Sequence, residues 1–294
     1  MWKLIFATLL LLPHWLPSAS AGDCRPGTIQ EFMEISGPTR VIAHRGFSGQ
    51  APENTLVAIR RAIDAGADMV EVDVTMTADG HVILLHDETL DRTTDGEGRP
   101  TAMTLAEVRT LDAGSWFAPD FAGEQIPTLV AALESVKDRI LLNIEIKSEA
   151  VEHGVVPKVA ALIVEHGMVD QVVVSSFSPE ALRRMKVTEP AVVTASLFNK
   201  KIHTGRDPLE IIQEVGSRGF NISGKRLTAT MVDRCHRRHI PVAVYTVNEV
   251  PVMHRLMAMG VDAVFTDHPD RMLKAVAEAT ELPERKQKQA VQSR

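Results

Sequence analysis

From residue 140 onward, short apolar runs alternate with segments whose apolar positions recur at helical spacing. The predicted strands are residues 140–146, 172–175, 192–196, 219–222, 242–247 and 263–266. The predicted helices are residues 157–165, 179–186, 208–215, 228–237, 249–259 and 269–277, with the clearest start signals at Ser178-Pro179 and Asp207-Pro208. Repeated strand–helix units of this kind predict parallel strands joined by crossover helices.

Three further apolar runs lie nearer the N-terminus, at residues 41–43, 69–74 and 82–85. They bring the total to about eight or nine strands, which favours an α/β fold in the form of a closed (β/α)8 TIM-type barrel. The alternative is an open, doubly wound parallel sheet. The chain has neither the GxGxxG nor the GxxxxGK[ST] loop that such sheets use to bind nucleotides, so the barrel is the better prediction.

The connection between the second and third of these runs is unusually short. It comprises residues 75–81 and centres on Ala78-Asp79-Gly80. A parallel crossover needs about a dozen residues or more, so we predict an antiparallel hairpin. Its pairing would bring His86 roughly opposite Asp73. The sequence leaves open whether the second arm is a barrel strand or a ribbon on the rim.

Residues 88–127 form a long interval after the second and third strands, and we predict that they are an insertion or cap. They include the polar stretch Thr93-Thr94-Asp95-Gly96-Glu97-Gly98, followed by Trp116-Phe117. Loops of this length usually serve as lids or binding segments. A helical excursion that only covers the barrel is equally compatible with the sequence.

Residues 1–21 are predicted to be a signal peptide. Lys3 gives the positive start, residues 4–12 the apolar stretch, and Ala19-Ser20-Ala21 the cleavage site, so the mature chain would begin near Gly22. We therefore expect an exported protein, periplasmic or secreted, with no stable membrane span. An uncleaved anchor is the alternative. The remainder divides into an N-terminal extension (22–39), a barrel domain (40–280) and a polar tail (281–294).

The composition narrows the range of partners. The chain has 38 acidic and 32 basic residues, for a net charge of −6, and removal of Lys3 with the signal peptide changes this to −7. An acidic chain is a poor candidate for binding nucleic acid. Its two cysteines, Cys24 and Cys235, could form one disulfide in an oxidising compartment or remain unpaired thiols.

Carboxylates gather at the ends of two predicted strands. Glu71 and Asp73 are two residues apart and share one strand face, and Glu145 lies on a neighbouring predicted strand. Such groups repel one another unless a cation lies between them, and an all-oxygen set suits Ca²⁺ or Mg²⁺. We therefore predict one divalent cation at these residues. The alternative is that Glu71 and Glu145 form structural ion pairs with Lys147 and Arg45.

Two histidines, His44 and His86, also follow apolar runs. Imidazole titrates near neutrality, so one ring could accept a proton while the other donates one, and we predict this pair to be catalytic. Arg45 is suited to holding a phosphate by two parallel hydrogen bonds, and Lys147 could add positive charge. Glu53 is close enough in sequence to face the same site.

Other polar residues are assigned structural positions. Asp267, after the last predicted strand, is predicted to cap the following helix rather than to face the site. We expect most of the remaining histidines at the surface: His81, His153, His166, His203, His236, His239, His254 and His268.

Several motifs occur in order between about residues 41 and 275. They are His44-Arg45-Gly46, Pro52-Glu53-Asn54-Thr55, Glu71-x-Asp73, Thr77-Ala78-Asp79-Gly80, His86-Asp87, Ile126-Pro127-Thr128-Leu129, Glu145-Ile146-Lys147, Thr246-Val247-Asn248 and Gly260-Val261-Asp262 with Thr266-Asp267-His268-Pro269. Together they resemble the glycerophosphodiester phosphodiesterase family, a group of phospholipase C-like TIM barrels. The resemblance covers nearly the whole predicted mature chain.

The resemblance implies a TIM-type barrel that binds one divalent ion, Ca²⁺ or Mg²⁺. By position it implies metal ligands at Glu71, Asp73 and Glu145, an acid/base pair at His44 and His86, and phosphate ligands at Arg45 and Lys147. One position departs from the family pattern, because Tyr245 stands where the family often has Trp. We expect Tyr245 to line the substrate site and to affect which alcohol is preferred.

The expected reaction is hydrolysis of a small-molecule glycerophosphodiester to glycerol 3-phosphate and an alcohol such as choline or ethanolamine. The nucleophile could be water or the substrate's own 2-hydroxyl, and either histidine could be the acid. One alternative is a lysophospholipase D-like activity, with residues 88–127 admitting an acyl chain. Another is an exported phosphodiester-binding protein, which the histidine pair disfavours because a binder needs no proton transfer.

Overall fold

The structure, a computed structural model, describes residues 27–199 and 201–292, without the side chains of residues 149 and 282–292. The predicted signal peptide and Cys24 lie outside this part. The strands are β1 (Arg40–Ala43), β2 (Met69–Met76), β3 (Val82–Leu84), β4 (Leu141–Ile146), β5 (Val172–Ser176), β6 (Val193–Phe198), β7 (Gly219–Ser223), β8 (Val242–Tyr245) and β9 (Ala263–Thr266).

The α-helices are α1 (Ile29–Phe32), α2 (Leu56–Ala65), α3 (Leu105–Val108), α4 (Leu129–Val136), α5 (Val155–Glu165), α6 (Pro179–Thr188), α7 (Pro208–Val215), α8 (Ala229–His236), α9 (Val250–Ala258) and α10 (Pro269–Gln292). Short 3₁₀ turns occur at Pro100–Ala102, Pro119–Phe121 and Glu149–Val151. Helix α10 continues beyond the predicted 269–277 and ends at Gln292.

Eight parallel strands form a closed barrel. They are hydrogen-bonded in the order β1, β9, β8, β7, β6, β5, β4, β2, and β1 also pairs in parallel with β2. An open sheet would leave two strand edges unpaired, whereas here the β1–β2 pairing closes the ring. The predicted (β/α)8 TIM-type barrel is therefore confirmed.

Side-chain caps define where the helices begin. Thr55, Thr128, Ser178, Asp207 and Thr228 each accept a hydrogen bond from a backbone N–H of the following first turn. These contacts satisfy donors that a helix start leaves unpaired. The helix starts predicted at residues 178–179 and 207–208 are thus confirmed.

Apolar side chains fill the N-terminal end of the barrel. Ile42, Met69 and Phe265 point into one cluster with Ile29 and Phe32 of α1. The backbone N–H of Ile29 bonds the carbonyl of residue 170, which precedes β5, at 2.7 Å. Helix α1 therefore closes this end of the barrel, and the polar residues gather at the opposite end, where the strands finish.

Strand β3 is antiparallel to β2 and lies outside the ring of parallel strands. The predicted hairpin is confirmed, and its second arm is a ribbon on the rim. The backbone N–H of Leu85 donates to the carbonyl of Asp73 at 3.0 Å. His86 therefore lies one residue beyond the position opposite Asp73.

Residues 88–127 pack on this ribbon and have a small apolar core of their own. Leu90 and Ile126 are buried against Ile83 of β3. The segment has only short helical pieces, so it is compact without forming a separate long helix. It covers the hairpin and also extends one charged side chain, Arg92, into the polar end of the barrel.

Cys235 lies buried in α8. Burial raises the pKa of its thiol to about 11, which leaves little reactive thiolate at neutral pH. The other member of the predicted pair, Cys24, lies outside the described residues, and the disulfide stays a prediction.

Candidate active site

Three carboxylates meet near the ends of β2 and β4. Asp73 of β2 is the register partner of Glu145 of β4, and Glu71 lies two residues earlier on the same face. One oxygen from each of the three lies within 4.8 Å of the other two. Glu71 and Asp73 are almost fully buried, with 2% and 1% of their surface exposed. The predicted carboxylate cluster is therefore formed.

Two cations flank this cluster. Lys147 Nζ lies 2.7 Å from Asp73 Oδ1 and 2.6 Å from Glu145 Oε1, and Arg45 Nε lies 3.3 Å from Asp73 Oδ2. Burial by itself would raise the pKa of Asp73, but Lys147 and Arg45 outweigh it and hold that pKa well below its usual range. Burial lowers the pKa of Lys147, and its two carboxylate partners more than compensate and raise it. The ion pair between Glu145 and a lysine is thus present.

Glu71 is different, because no lysine or arginine among the described residues forms an ion pair with its side chain. Its Oε2 accepts a hydrogen bond from the backbone N–H of Arg45 at 2.9 Å, whereas its buried Oε1 has no described hydrogen-bond partner. Burial, and then repulsion by Asp73 and Glu145, raises the pKa of Glu71 well above its usual range. An orphaned buried oxygen beside two more carboxylates fits a hard divalent cation such as Ca²⁺ or Mg²⁺.

An unusual backbone conformation places Arg45 and Asn54 over Asp73. Both residues have left-handed backbones, with φ of 56° and 57°. Asn54 Nδ2 donates to Asp73 Oδ2 at 2.9 Å, and the Asp73 N–H donates to Asn54 Oδ1 at 3.0 Å. Such conformations are rare for residues other than glycine and persist where the surroundings enforce them. Thr55, the next residue, caps helix α2, which leaves the Asn54 side chain to bond Asp73.

Gly46 makes this turn possible, and we expect Gly46→Ala to destabilise the protein strongly. Its φ is 81°, and an added Cβ would lie 2.6 Å from the backbone carbonyl carbon of Ala58. The left-handed backbone costs alanine about 1–2 kcal/mol, and the clash adds about 1–3 kcal/mol. Gly37→Ala is the matched control, because Gly37 has φ of 85° and open space around it. Urea unfolding should show the larger loss for Gly46→Ala, and equal losses would contradict this prediction.

His44 follows β1 and is held by Asp267, the residue that follows β9. His44 Nδ1 lies 2.7 Å from Asp267 Oδ1, and Ser48 Oγ donates to the same oxygen at 3.0 Å. Asn248 Nδ2 donates to Asp267 Oδ2 at 2.6 Å. The prediction that Asp267 caps the next helix is wrong, because β1 pairs with β9 and this places the ends of both strands side by side.

His86 has an equivalent partner in the next residue. Its Nδ1 lies 2.5 Å from Asp87 Oδ1. A hydrogen bond from Arg92 is the main cause that lowers the pKa of Asp87 to about 2. Burial would raise the pKa of Asp267, but the hydrogen bond from His44 outweighs it and the pKa falls to about 2. Both aspartates are therefore ionised acceptors near neutral pH, so Nδ1 of each histidine is the donor in these hydrogen bonds and Nε2 is the ring nitrogen that the aspartate does not contact.

An aromatic wall forms part of the mouth. The ring of Tyr245 meets Phe177 edge-on at 5.9 Å, and its hydroxyl donates to the carbonyl of Phe198 at 2.7 Å. Burial raises the pKa of Tyr245 above its usual range. His203 stacks on Phe198 with the ring centroids 5.2 Å apart and is buried. The expectation of a surface position is therefore wrong for His203, because the loop after β6 folds back over the wall.

A family model described as the glycerophosphoryl diester phosphodiesterase family matches residues 44–271. The chain belongs to this family. The match spans the barrel from His44 to the start of α10, so it includes every strand exit that contributes to the carboxylate and histidine clusters.

Individual relatives agree with this assignment. A glycerophosphodiester phosphodiesterase of Caldanaerobacter subterraneus is 37% identical over 240 residues, which cover 81% of this chain and 98% of the relative. Among solved structures, an Oleispira antarctica phosphodiesterase in complex with the product sn-glycerol-3-phosphate is 32% identical, with a TM-score of 0.77 over 82% of this chain and 97% of that one. An Agrobacterium tumefaciens glycerophosphodiester phosphodiesterase, also 32% identical, has a TM-score of 0.70 over 80% and 98%.

The resemblance found in the motifs is thus confirmed, and the protein is a phosphodiesterase. The alternative of a non-catalytic binding protein is not supported, because these relatives are enzymes. The acidic cluster of this phosphodiesterase can hold a metal ion. Within the part of the chain that the structure describes, no helix is both long and apolar enough to cross a membrane.

Sequence reasoning missed several supporting residues of this phosphodiesterase. They are Asn54, Asp267, Asn248 and Arg92, each of which contacts a predicted site residue or its carboxylate partner. Asn54, Asn248 and Asp267 belong to motifs that were visible, but a motif does not state which distant side chain it contacts. Arg92 lies just before the polar stretch of the insertion and in none of these motifs, so it carried no local signal.

Proposed function

We propose that this phosphodiesterase hydrolyses a glycerophosphodiester to sn-glycerol 3-phosphate and an alcohol, using one divalent cation and two histidines. The observation that carries the proposal is the pair of imidazoles, His44 and His86, each oriented through Nδ1 by an ionised aspartate. Both rings lie near enough to Asp73 to lower the pKa of its carboxyl. The Oleispira antarctica relative in complex with sn-glycerol-3-phosphate supports the choice of product.

The cation would be held by Glu71, Asp73 and Glu145, and Ca²⁺ and Mg²⁺ are both compatible with these ligands. Once bound, it would supply positive charge for the phosphoryl oxygens as negative charge builds on them. Arg45 directs Nε toward Asp73 and Nη1 toward Glu53, and its remaining guanidinium N–H groups would donate to a phosphoryl oxygen.

The histidines would move the protons. Nε2 of one ring accepts the proton of the attacking hydroxyl, and Nε2 of the other donates a proton to the oxygen of the departing alcohol. One P–O bond forms as the P–O bond to the alcohol breaks, so the net transfer is one proton from nucleophile to leaving group. The nucleophile is either water or the substrate's 2-hydroxyl. The 2-hydroxyl gives a cyclic phosphate first, and water must then form a P–O bond as the P–O bond to the 2-oxygen breaks, which yields glycerol 3-phosphate.

The test is release of glycerol 3-phosphate from glycerophosphocholine by the purified protein without residues 1–21. Release should stop in EDTA and return when Ca²⁺ or Mg²⁺ is restored. No release by folded protein with either metal would contradict the proposal. Faster turnover of lysophosphatidylcholine than of glycerophosphocholine would replace it with the lysophospholipase D-like alternative.

We also propose that the enzyme is exported and that residues 1–21 are removed. The support is the sequence pattern that ends in Ala19-Ser20-Ala21. Expression of the full chain in a bacterium, followed by intact mass measurement, should give a chain that starts at Gly22 outside the cytoplasm. A full-length chain retained in the cytoplasm or membrane would exclude this processing.

A further inference from the structure

Arg92 connects the insertion to the active site through two carboxylates. Its Nη1 and Nη2 donate to Glu53 Oε2 and Oε1 at 2.8 and 2.7 Å. Its Nε and Nη2 donate to Asp87 Oδ2 and Oδ1 at 2.6 and 3.2 Å. A single guanidinium thus holds both carboxylates by paired hydrogen bonds, an arrangement for which its planar fork of donors is suited.

Each of these carboxylates holds a residue of the proposed catalytic machinery. Asp87 bonds His86 Nδ1 at 2.5 Å, and Glu53 bonds Arg45 Nη1 at 2.7 Å. A continuous chain of contacts therefore runs from His86 to Arg45 with Arg92 at its centre. Glu53 and Asp87 are 34 residues apart in sequence by their numbering, and among the described residues no other side chain bonds both of them.

The backbone that carries Arg92 is fixed by local hydrogen bonds. Thr94 Oγ1 donates to the carbonyl of Leu90 at 2.9 Å, and the Leu90 N–H donates to the carbonyl of Gly98 at 2.9 Å. The Gly98 N–H donates to Asp91 Oδ2 at 3.1 Å. Since Leu90 is also buried in the small core of the insertion, Arg92 extends from a rigid turn rather than from a loose loop.

We propose that Arg92 is a positioning residue that aligns His86 for proton transfer and Arg45 for phosphate binding at the same time. The inference rests on the proposed function, because it takes the roles of His86 and Arg45 from there. It also assigns a task to residues 88–127: they deliver the guanidinium that joins the two sides of the site. Without the Arg92 guanidinium, the carboxylates of Glu53 and Asp87 would repel each other. The side chains that they contact, Arg45 and His86, would then no longer be held in one orientation.

The effect should divide between two kinetic constants. Misalignment of a reacting group by about 1 Å can reduce a rate about 100-fold, so we expect Arg92→Ala to lower kcat/KM by about 10- to 100-fold. The contribution through His86 should appear in kcat, and the contribution through Arg45 in KM. Arg92→Lys should recover only a minor part, because an ammonium group cannot bond both carboxylates in pairs.

Arg99→Ala is the matched control. Arg99 lies in the same insertion and pairs with Glu88 at 2.7 Å, but both side chains are exposed and neither contacts the site. We expect its kcat and KM to stay within about twofold of the wild type, because exposed ion pairs of this kind contribute little. An Arg92→Ala variant with equally unchanged constants would overturn the proposal.

Double-mutant cycles separate positioning from a general structural role. In an Asp87→Asn background, Arg92→Ala should lower kcat by less than it does in the wild type, and in a Glu53→Gln background it should raise KM by less. If Arg92→Ala changes kcat and KM in both backgrounds as much as in the wild type, and lowers the melting temperature equally in all three, then Arg92 is merely structural. That result would overturn the proposal. Normal turnover by His86→Ala would refute the proposed function instead, and the cycles would still measure the coupling at Arg92.

Discussion

Replacing His86 with alanine is expected to lower kcat by about 10²- to 10⁴-fold while the protein stays folded, because the change removes one of the two proposed proton-transfer groups. The side chain is partly exposed at the barrel mouth, and its hydrogen bond is to the adjacent Asp87, so the core loses no packing. His44→Ala should have a loss of similar size. Turnover of glycerophosphocholine at saturating substrate and metal is the measurement.

A matched control is His153→Ala, because His153 is exposed on the connection before α5 and has no role in the proposed chemistry. It should keep normal turnover. A substrate with p-nitrophenol as its leaving group then identifies the acid, since a good leaving group needs no proton. The variant that recovers most of its rate on this substrate has lost the acid, and normal turnover by either variant would contradict the two-histidine mechanism.

Replacing Glu71 with glutamine is expected to have opposite effects on activity and on the stability of the metal-free protein. Activity should fall by more than about 100-fold, which is the upper end for residues that only support metal ligands. In EDTA at pH 8 the variant should be at least as stable as the wild type, because burial and repulsion by Asp73 and Glu145 disfavour the ionised form of Glu71 and glutamine cannot ionise. Added Ca²⁺ should raise the melting temperature of the wild type more than that of the variant.

The same residue predicts a pH dependence with a definite sign. The pKa of Glu71 is raised in the folded protein, so the folded state binds more protons than the unfolded chain as pH rises above about 4.5. Its contribution to stability is complete below the unfolded pKa and is lost as pH rises through the higher folded pKa. Glu145, whose pKa burial also raises, contributes with the same sign.

The measurement is the free energy of unfolding, obtained by urea unfolding in EDTA at a series of pH values above about 4.5. The wild type should lose more free energy of unfolding with rising pH than Glu71→Gln does. Glu88→Gln provides a control with an exposed glutamate and should follow the wild-type curve. Parallel curves for the wild type and Glu71→Gln would show that Glu71 is not the buried group that titrates.

The chain indicated much of this architecture in advance because its signals are local. The period of apolar positions marked strands and helices, the short predicted connection at residues 75–81 excluded a crossover, and the two-residue spacing of Glu71 and Asp73 put both on one face. Glu145 could be predicted to lie near them, because the ends of neighbouring parallel strands are aligned. The predicted positions of Asp267 and His203 were wrong. The local sequence around a strand end or an isolated histidine does not indicate which distant residue its side chain will contact.

By itself, the sequence determined the barrel, the hairpin and the set of acidic and imidazole side chains at the strand ends. Only the tertiary structure decided how they are held. Asp267 contacts His44, 223 residues away in sequence, because closure of the ring brings the last strand beside the first. Arg92 contacts Glu53, 39 residues away in sequence, because the insertion folds onto the hairpin. Periodicity encodes which face a residue occupies, whereas such contacts depend on how distant elements pack together.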